Sequence, residues 1–203
     1  MTLKLIGSSS GSVSLDAPAS TTGGSNITFK LPVADGSSGQ SLTTNASGQL
    51  AFSHSGKILQ VVSTIKTDTA SHDTTTWTDI SGLSLSITPS SASNKVLISF
   101  NASGSTPNIG FVRIVRDSTA IGVGDSSSSR VPCSCMFHRS GDGNLLESFS
   151  FTHLDSPSTT SAVTYKLQWR DESGTIYLNR SQNDNDGASG ARTASVITAM
   201  EVG

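Results

Sequence analysis

No stretch of this sequence stays apolar long enough to cross a membrane as a helix, which takes about 18 or more such residues. Its start, Met1-Thr2-Leu3-Lys4-Leu5-Ile6, runs into Gly7-Ser8-Ser9-Ser10 after one short apolar run, too brief for the roughly 7–15 apolar residues of a secretory leader. Neither a leader nor membrane insertion is expected. Charge is scarce as well, with 14% charged residues and a net charge of −2. The electrostatic attraction that supplies most nucleic-acid affinity is therefore missing, and no nucleic-acid partner is expected. Cysteine is limited to Cys133 and Cys135, one residue apart. On a strand, residues two apart share a face and point in parallel, so a bridge between them would be strained. A lone C-x-C is also too few ligands for zinc. Two reduced, packed thiols are the expectation, with a metal or redox role and links between chains as alternatives.

Apolar residues make up only 34% of the chain, while Ser, Thr and Gly together account for 82 of the 203 residues. That bias suits fibres and β-rich folds, and it divides unevenly along the chain. Residues 1–56 are punctuated by Gly7, Gly11, Gly23-Gly24, Asp35-Gly36, Gly39, Gly48 and Gly56, leaving room only for strands of four to six residues. The alternating run from Ile27 to Leu31 stops at Pro32; 41–44 and 49–52 are further short strands around Asn45-Ala46-Ser47-Gly48. One copy of this region has too little apolar surface to fold alone, so it is expected to share its core or to dock on a larger body.

From Lys57 onward the period is two. Leu83, Leu85 and Ile87 alternate with Ser84, Ser86 and Thr88, and Val96, Ile98, Phe100 and Ala102 with Leu97, Ser99, Asn101 and Ser103. Tyr165, Leu167 and Trp169 alternate with Lys166, Gln168 and Arg170; Ala194, Val196, Met200 and Val202 mark one face of a last strand. Further strands are expected at 58–66, 109–116, 119–123, 130–138, 145–154 and 174–179, with Arg116-Asp117-Ser118-Thr119 as a hairpin turn. The fold class expected is all-β: a short-stranded N-terminal region, 1–56, followed by an antiparallel jelly-roll sandwich, 57–203.

The run from Ser25 to Phe52 carries the pattern TFxLPxxDGxxGQxLxTxxxGxLxF, which resembles a stretch in the stalks and collars of bacteriophage fibres. Residues Gly110 to Gly122, Leu154-Asp155-Ser156-Pro157, Thr164 to Gln168 and Thr198 to Val202 are similar to a terminal domain of such tail-fibre and virion appendage proteins, common among marine phages. The resemblance implies a jelly roll of the tumour-necrosis-factor-like kind, a homotrimer, and a place on the virion surface. Residues 1–56 would then contact other virion proteins, and the jelly roll would serve host attachment. The chain has no repeated shaft, which favours a short appendage or a capsid decoration over a long fibre.

Motifs for catalysis are missing. His54, His72, His138 and His153 form no H-x-x-x-H or H-E-x-x-H arrangement, and no G-x-S-x-G elbow occurs. No enzyme activity and no cofactor are expected. The loop Asn183-Asp184-Asn185-Asp186-Gly187 has oxygen ligands and a turn glycine but lacks the bidentate Glu of a calcium loop, so it is kept as a surface-loop binding candidate only. Trp169 falls in phase with the core, whereas Trp77 sits in a polar setting and is a candidate for a surface or subunit contact. Phe111, Arg113 and Val115 share one strand face; an apolar stripe interrupted by Arg suits a subunit interface. Asp125 and Glu147 are conceivable partners for Arg113. A host-surface glycan is a further candidate ligand, bound in lectin fashion.

Overall fold

The fold was read from a computed structural model that describes residues 3–6, 12–15, 28–37, 40–45, 47–53, 58–138, 143–188 and 190–203, the first two segments by backbone alone. Every regular element among them is a strand and every ladder between strands is antiparallel, so the fold is all-β. The expected positions Ile27 and His54 lie outside the described residues. Two units are distinguished by their contacts, Met1–Ser55 and Gly56–Gly203.

In the first unit β1 (Leu3–Ile6) pairs with β2 (Ser12–Leu15), and β3 (Ser41–Thr44) pairs with β4 (Leu50–Ser53). The turn between β3 and β4 is made by its own side chains. Asn45 Oδ1 accepts the backbone N–H of Ser47 at 3.0 Å and of Gln49 at 3.2 Å. Gly48 has φ +80°, a region that only glycine enters without cost. Of the strand expected at 27–31, the described part contributes a single bridge, from Lys30 to Gln49. Phe29, Leu31 and Val33 are exposed.

The second unit is a sandwich. Its strands are β5 (Ile58–Lys66), β6 (Ala70–His72), β7 (Thr78–Ile87), β8 (Lys95–Ser105), β9 (Ile109–Arg116), β10 (Thr119–Ile121), β11 (Cys135–His138), β12 (Glu147–Asp155), β13 (Val163–Asp171), β14 (Ile176–Leu178) and β15 (Ser195–Val202). One sheet runs β5-β15-β8-β12, with β14 and β6 extending it; the other runs β7-β13-β9, with β10 and β11 sharing the free side of β9. Successive long strands β5, β7, β8 and β9 alternate between the sheets, as do β12, β13 and β15. That alternation is the jelly-roll way of pairing distant strands. The short β6 has no counterpart in the sequence pattern, because three residues hold too little alternation to read.

Period two decides what is buried. From β7 come Leu83, Leu85 and Ile87; from β8, Val96, Ile98, Phe100 and Ala102; from β13, Tyr165, Leu167 and Trp169. β7 starts five residues before its expected alternation and carries a bulge, with Gly82 at φ +85°. On β15 the core side chains are Ile197 and Ala199, so Val196, Met200 and Val202 mark the outer face. The expected hairpin is present: Asp117 turns at φ +53°, and its Oδ1 accepts the Thr164 N–H at 3.0 Å. Gly110 is opposite Phe137, whose ring covers it; a Cβ there would lie 2.4 Å from that ring. Phe137 in turn stacks on Phe149 at 4.6 Å between ring centres, closing that end of the core.

Candidate functional site

Val112 and Ile114 of β9 point into the core, which turns Phe111, Arg113 and Val115 to the outer face of the β7-β13-β9 sheet. Gln168 is the cross-strand neighbour of Arg113 on β13 and Asp79 that of Gln168 on β7. Arg113 Nε and Nη2 donate to Gln168 Oε1 at 3.0 and 2.7 Å, and Gln168 Nε2 donates to Asp79 Oδ1 at 2.7 Å. Lys166 Nζ completes the row by donating to Asp79 Oδ2 at 2.7 Å. Its hydrogen bond is the main reason the Asp79 carboxyl titrates below the usual range, helped by Gln168 and opposed by partial burial. Trp77 belongs to the same group, since the Arg113 guanidinium lies 4.2 Å from its ring centre.

The four interface candidates Trp77, Phe111, Arg113 and Val115 thus meet on or beside one sheet face. Within the chain Arg113 bonds to Gln168, Val115 is 2% exposed, and Phe111 lies under Arg170 at 5.7 Å. Asp79, Lys166 and Gln168 were not singled out from the sequence. For Lys166 and Gln168 the signal was the polar half of the β13 alternation, read only as the complement of the core; Asp79, at the start of β7, lay outside the alternation read there.

Asn183, Asp184, Asn185 and Asp186 occupy the loop before β15, beside a cleft lined also by Ser181, Ala191 and Arg192. Asp184 is clamped by two guanidiniums, Arg180 at 3.1 Å and Arg192 through both of its carboxylate oxygens. The bond from Arg192 holds its carboxyl below the ordinary value. Asn183 and Asn185 each donate to Asn144 Oδ1 at 3.2 Å, tying the loop to the 143–145 turn. Two guanidiniums thus already occupy the Asp184 carboxylate, and a cation there would have to displace them. Among the described residues no three His, Cys, Asp or Glu side chains are grouped as metal ligands.

Other polar groups join elements of the sandwich. Two buried carboxylates flank Val96 in the register, Asp155 from β12 and Glu201 from β15. Asp155 accepts Arg116 Nη1 at 2.9 Å and the Tyr165 hydroxyl at 2.6 Å, joining the two sheets. Burial first, and then that bond, push the Tyr165 hydroxyl upward. Burial opposes ionisation of Glu201, but Asn94, Gln60 and Ser90 all donate to it and bring it down to about 2. At the other end Asn179 is buried at φ +59°; its Nδ2 donates to the carbonyls of Lys66 and Asp68, and its Oδ1 accepts from Ser195. Cys133 and Cys135 are free and half-buried, and burial pushes the Cys135 thiol up to about 12. Such a thiol is protonated at neutral pH and a poor nucleophile. His72 stacks on Trp169 at 5.6 Å, and His138 meets Glu147 through its backbone N–H.

No protein-family model matches the chain, and no curated protein matches it either.

Proposed function

We propose that this chain is a non-enzymatic structural protein of a bacteriophage virion: a homotrimeric short tail fibre or appendage that docks through residues 1–56 and displays the sandwich of 57–203 for host-surface contact. The observation that carries the reading is the strand order β5-β15-β8-β12 against β7-β13-β9-β10, since a jelly roll is what the resemblance in Gly110–Gly122 and Leu154–Pro157 implies. Further support comes from the first unit, where Phe29, Leu31 and Val33 are apolar and uncovered in the region assigned to docking. The polar side chains of the sandwich are largely bonded to one another, which suits a scaffold.

Electron microscopy of phage particles carrying a labelled copy of this chain tests the proposal. Label at the tail is expected. Label on the head would move the protein to capsid decoration, and particles without label would overturn a virion role. Strong binding to a glycan array by the intact chain, with no label on particles, would favour a lectin.

A further inference from the structure

The two outer faces of the sandwich are built differently. On the β5-β15-β8-β12 sheet, register places Val61, Met200, Leu97 and Leu154 side by side in one row across all four strands. The next row is Ser63, Thr198, Ser99 and Thr152, and the one after it begins with Ile65 and Val196. Val61 is 56% exposed, Ile65 64% and Leu154 46%. Among the outward positions of β5 from Val61 to Ile65, β15 from Val196 to Val202, β8 from Lys95 to Ser103 and β12 from Ser148 to Leu154, the one charge is Lys95, opposite Val202 at the start of β8. Hydroxyls in this face bond across the strands, Ser63 with Thr198 at 3.0 Å and Ser103 with Ser148 at 3.1 Å.

We propose that this face is the contact surface for a second copy of the chain. The inference rests on the homo-oligomeric reading above and assigns it a place. A face whose one charge, Lys95, lies at the start of β8 lets identical copies meet with little like-charge repulsion, and the paired hydroxyls Ser63–Thr198 and Ser103–Ser148 can be dried at little cost. Size agrees: four strands about 4.8 Å apart, each about eight residues long at roughly 3.3 Å per residue, span on the order of 500 Å². Together with the matching surface of a neighbour this reaches the roughly 1,000 Å² that a specific interface requires. Left in water, a part-apolar sheet face bounded by the edges of β5 and β12, unpaired among the described residues, would invite aggregation.

Light scattering on the full chain at tens of micromolar decides the matter. Wild type is expected at a multiple of 20.9 kDa. Leu97→Glu and Ser99→Arg should fall to the mass of one chain while keeping the far-UV β spectrum and a cooperative melt, and Phe111→Asp on the other sheet should remain assembled. Ser99→Arg alters only an outward hydroxyl and keeps the test valid if Leu97→Glu fails to fold. Assembled Ser99→Arg protein would overturn the assigned face and leave oligomerisation standing. A monomeric wild type would overturn both, leaving the face to a different protein.

Discussion

The outer face of the β7-β13-β9 sheet and that of the β5-β15-β8-β12 sheet enclose the same core yet solve exposure in opposite ways. The first ties Arg113, Gln168, Asp79 and Lys166 into a row with Trp77 beside it, while Arg170 on the same face lies over Phe111 with its Nε unbonded among the described residues. The second keeps a field whose one outward charge is Lys95, with Val61, Ile65 and Leu154 open. Exposed polar rows are stable in water as they are, whereas exposed apolar rows gain from being covered. The Phe111/Arg113/Val115 stripe includes an Arg bonded within the chain, whereas the row Val61, Met200, Leu97 and Leu154 includes no charge.

The largest effect should come from breaking the scaffold that holds both faces. Asp155→Ala removes the carboxylate shared by Arg116 and Tyr165 and leaves a part-buried guanidinium uncompensated, a loss expected at about 3–5 kcal/mol. Urea denaturation at neutral pH measures it; a loss below about 1 kcal/mol would show that the sheets need no such tie.

Next comes Glu201, which binds the 90–94 loop just ahead of β8. Its folded pKa of about 2 lies below the unfolded one near 4.5. The stabilisation is thus complete above the unfolded value and is lost as pH falls from there towards 2, amounting to about 3 kcal/mol. Glu201→Gln should be less stable than wild type at pH 7, and the difference should shrink below pH 4. Melting curves at both pH values decide it, and a constant difference would refute the linkage.

Smaller effects belong to the charged face. Gln168→Ala cuts the row between Arg113 and Asp79 and should cost about 1 kcal/mol in urea midpoint analysis, without changing the assembled mass. A drop in mass would mean that this face, too, touches a neighbour. Smallest of all, Lys166→Ala should cost under about 0.5 kcal/mol and less in high salt, because Asp79 is half exposed. An effect independent of salt would show the pair to be shielded from solvent.

Much of the fold was legible along the chain because alternation is a one-dimensional signal. The Arg116–Thr119 hairpin and the strands at 58–66 and 109–116 follow directly from it. The partners of Arg113 were not legible: Gln168 lies 55 residues away, and only register across β13 and β9 brings it opposite. Asp184 had the composition of a cation ligand, and the arginines that occupy it are set by how the loop closes on β15.

By itself the sequence determined that the chain is β-rich, where most strands run, and that Trp169 belongs inside, because a strand with one apolar side has one way to turn. β15 is different. Val196, Ile197, Ala199, Met200 and Val202 are apolar on both sides, so alternation cannot say which set is buried. Tertiary structure decided it: Ile197 and Ala199 pack against the core, and Glu201 must lie inward to meet Asn94, Gln60 and Ser90. The open apolar face is the consequence, since a period of two sends every alternate residue of the strand outward.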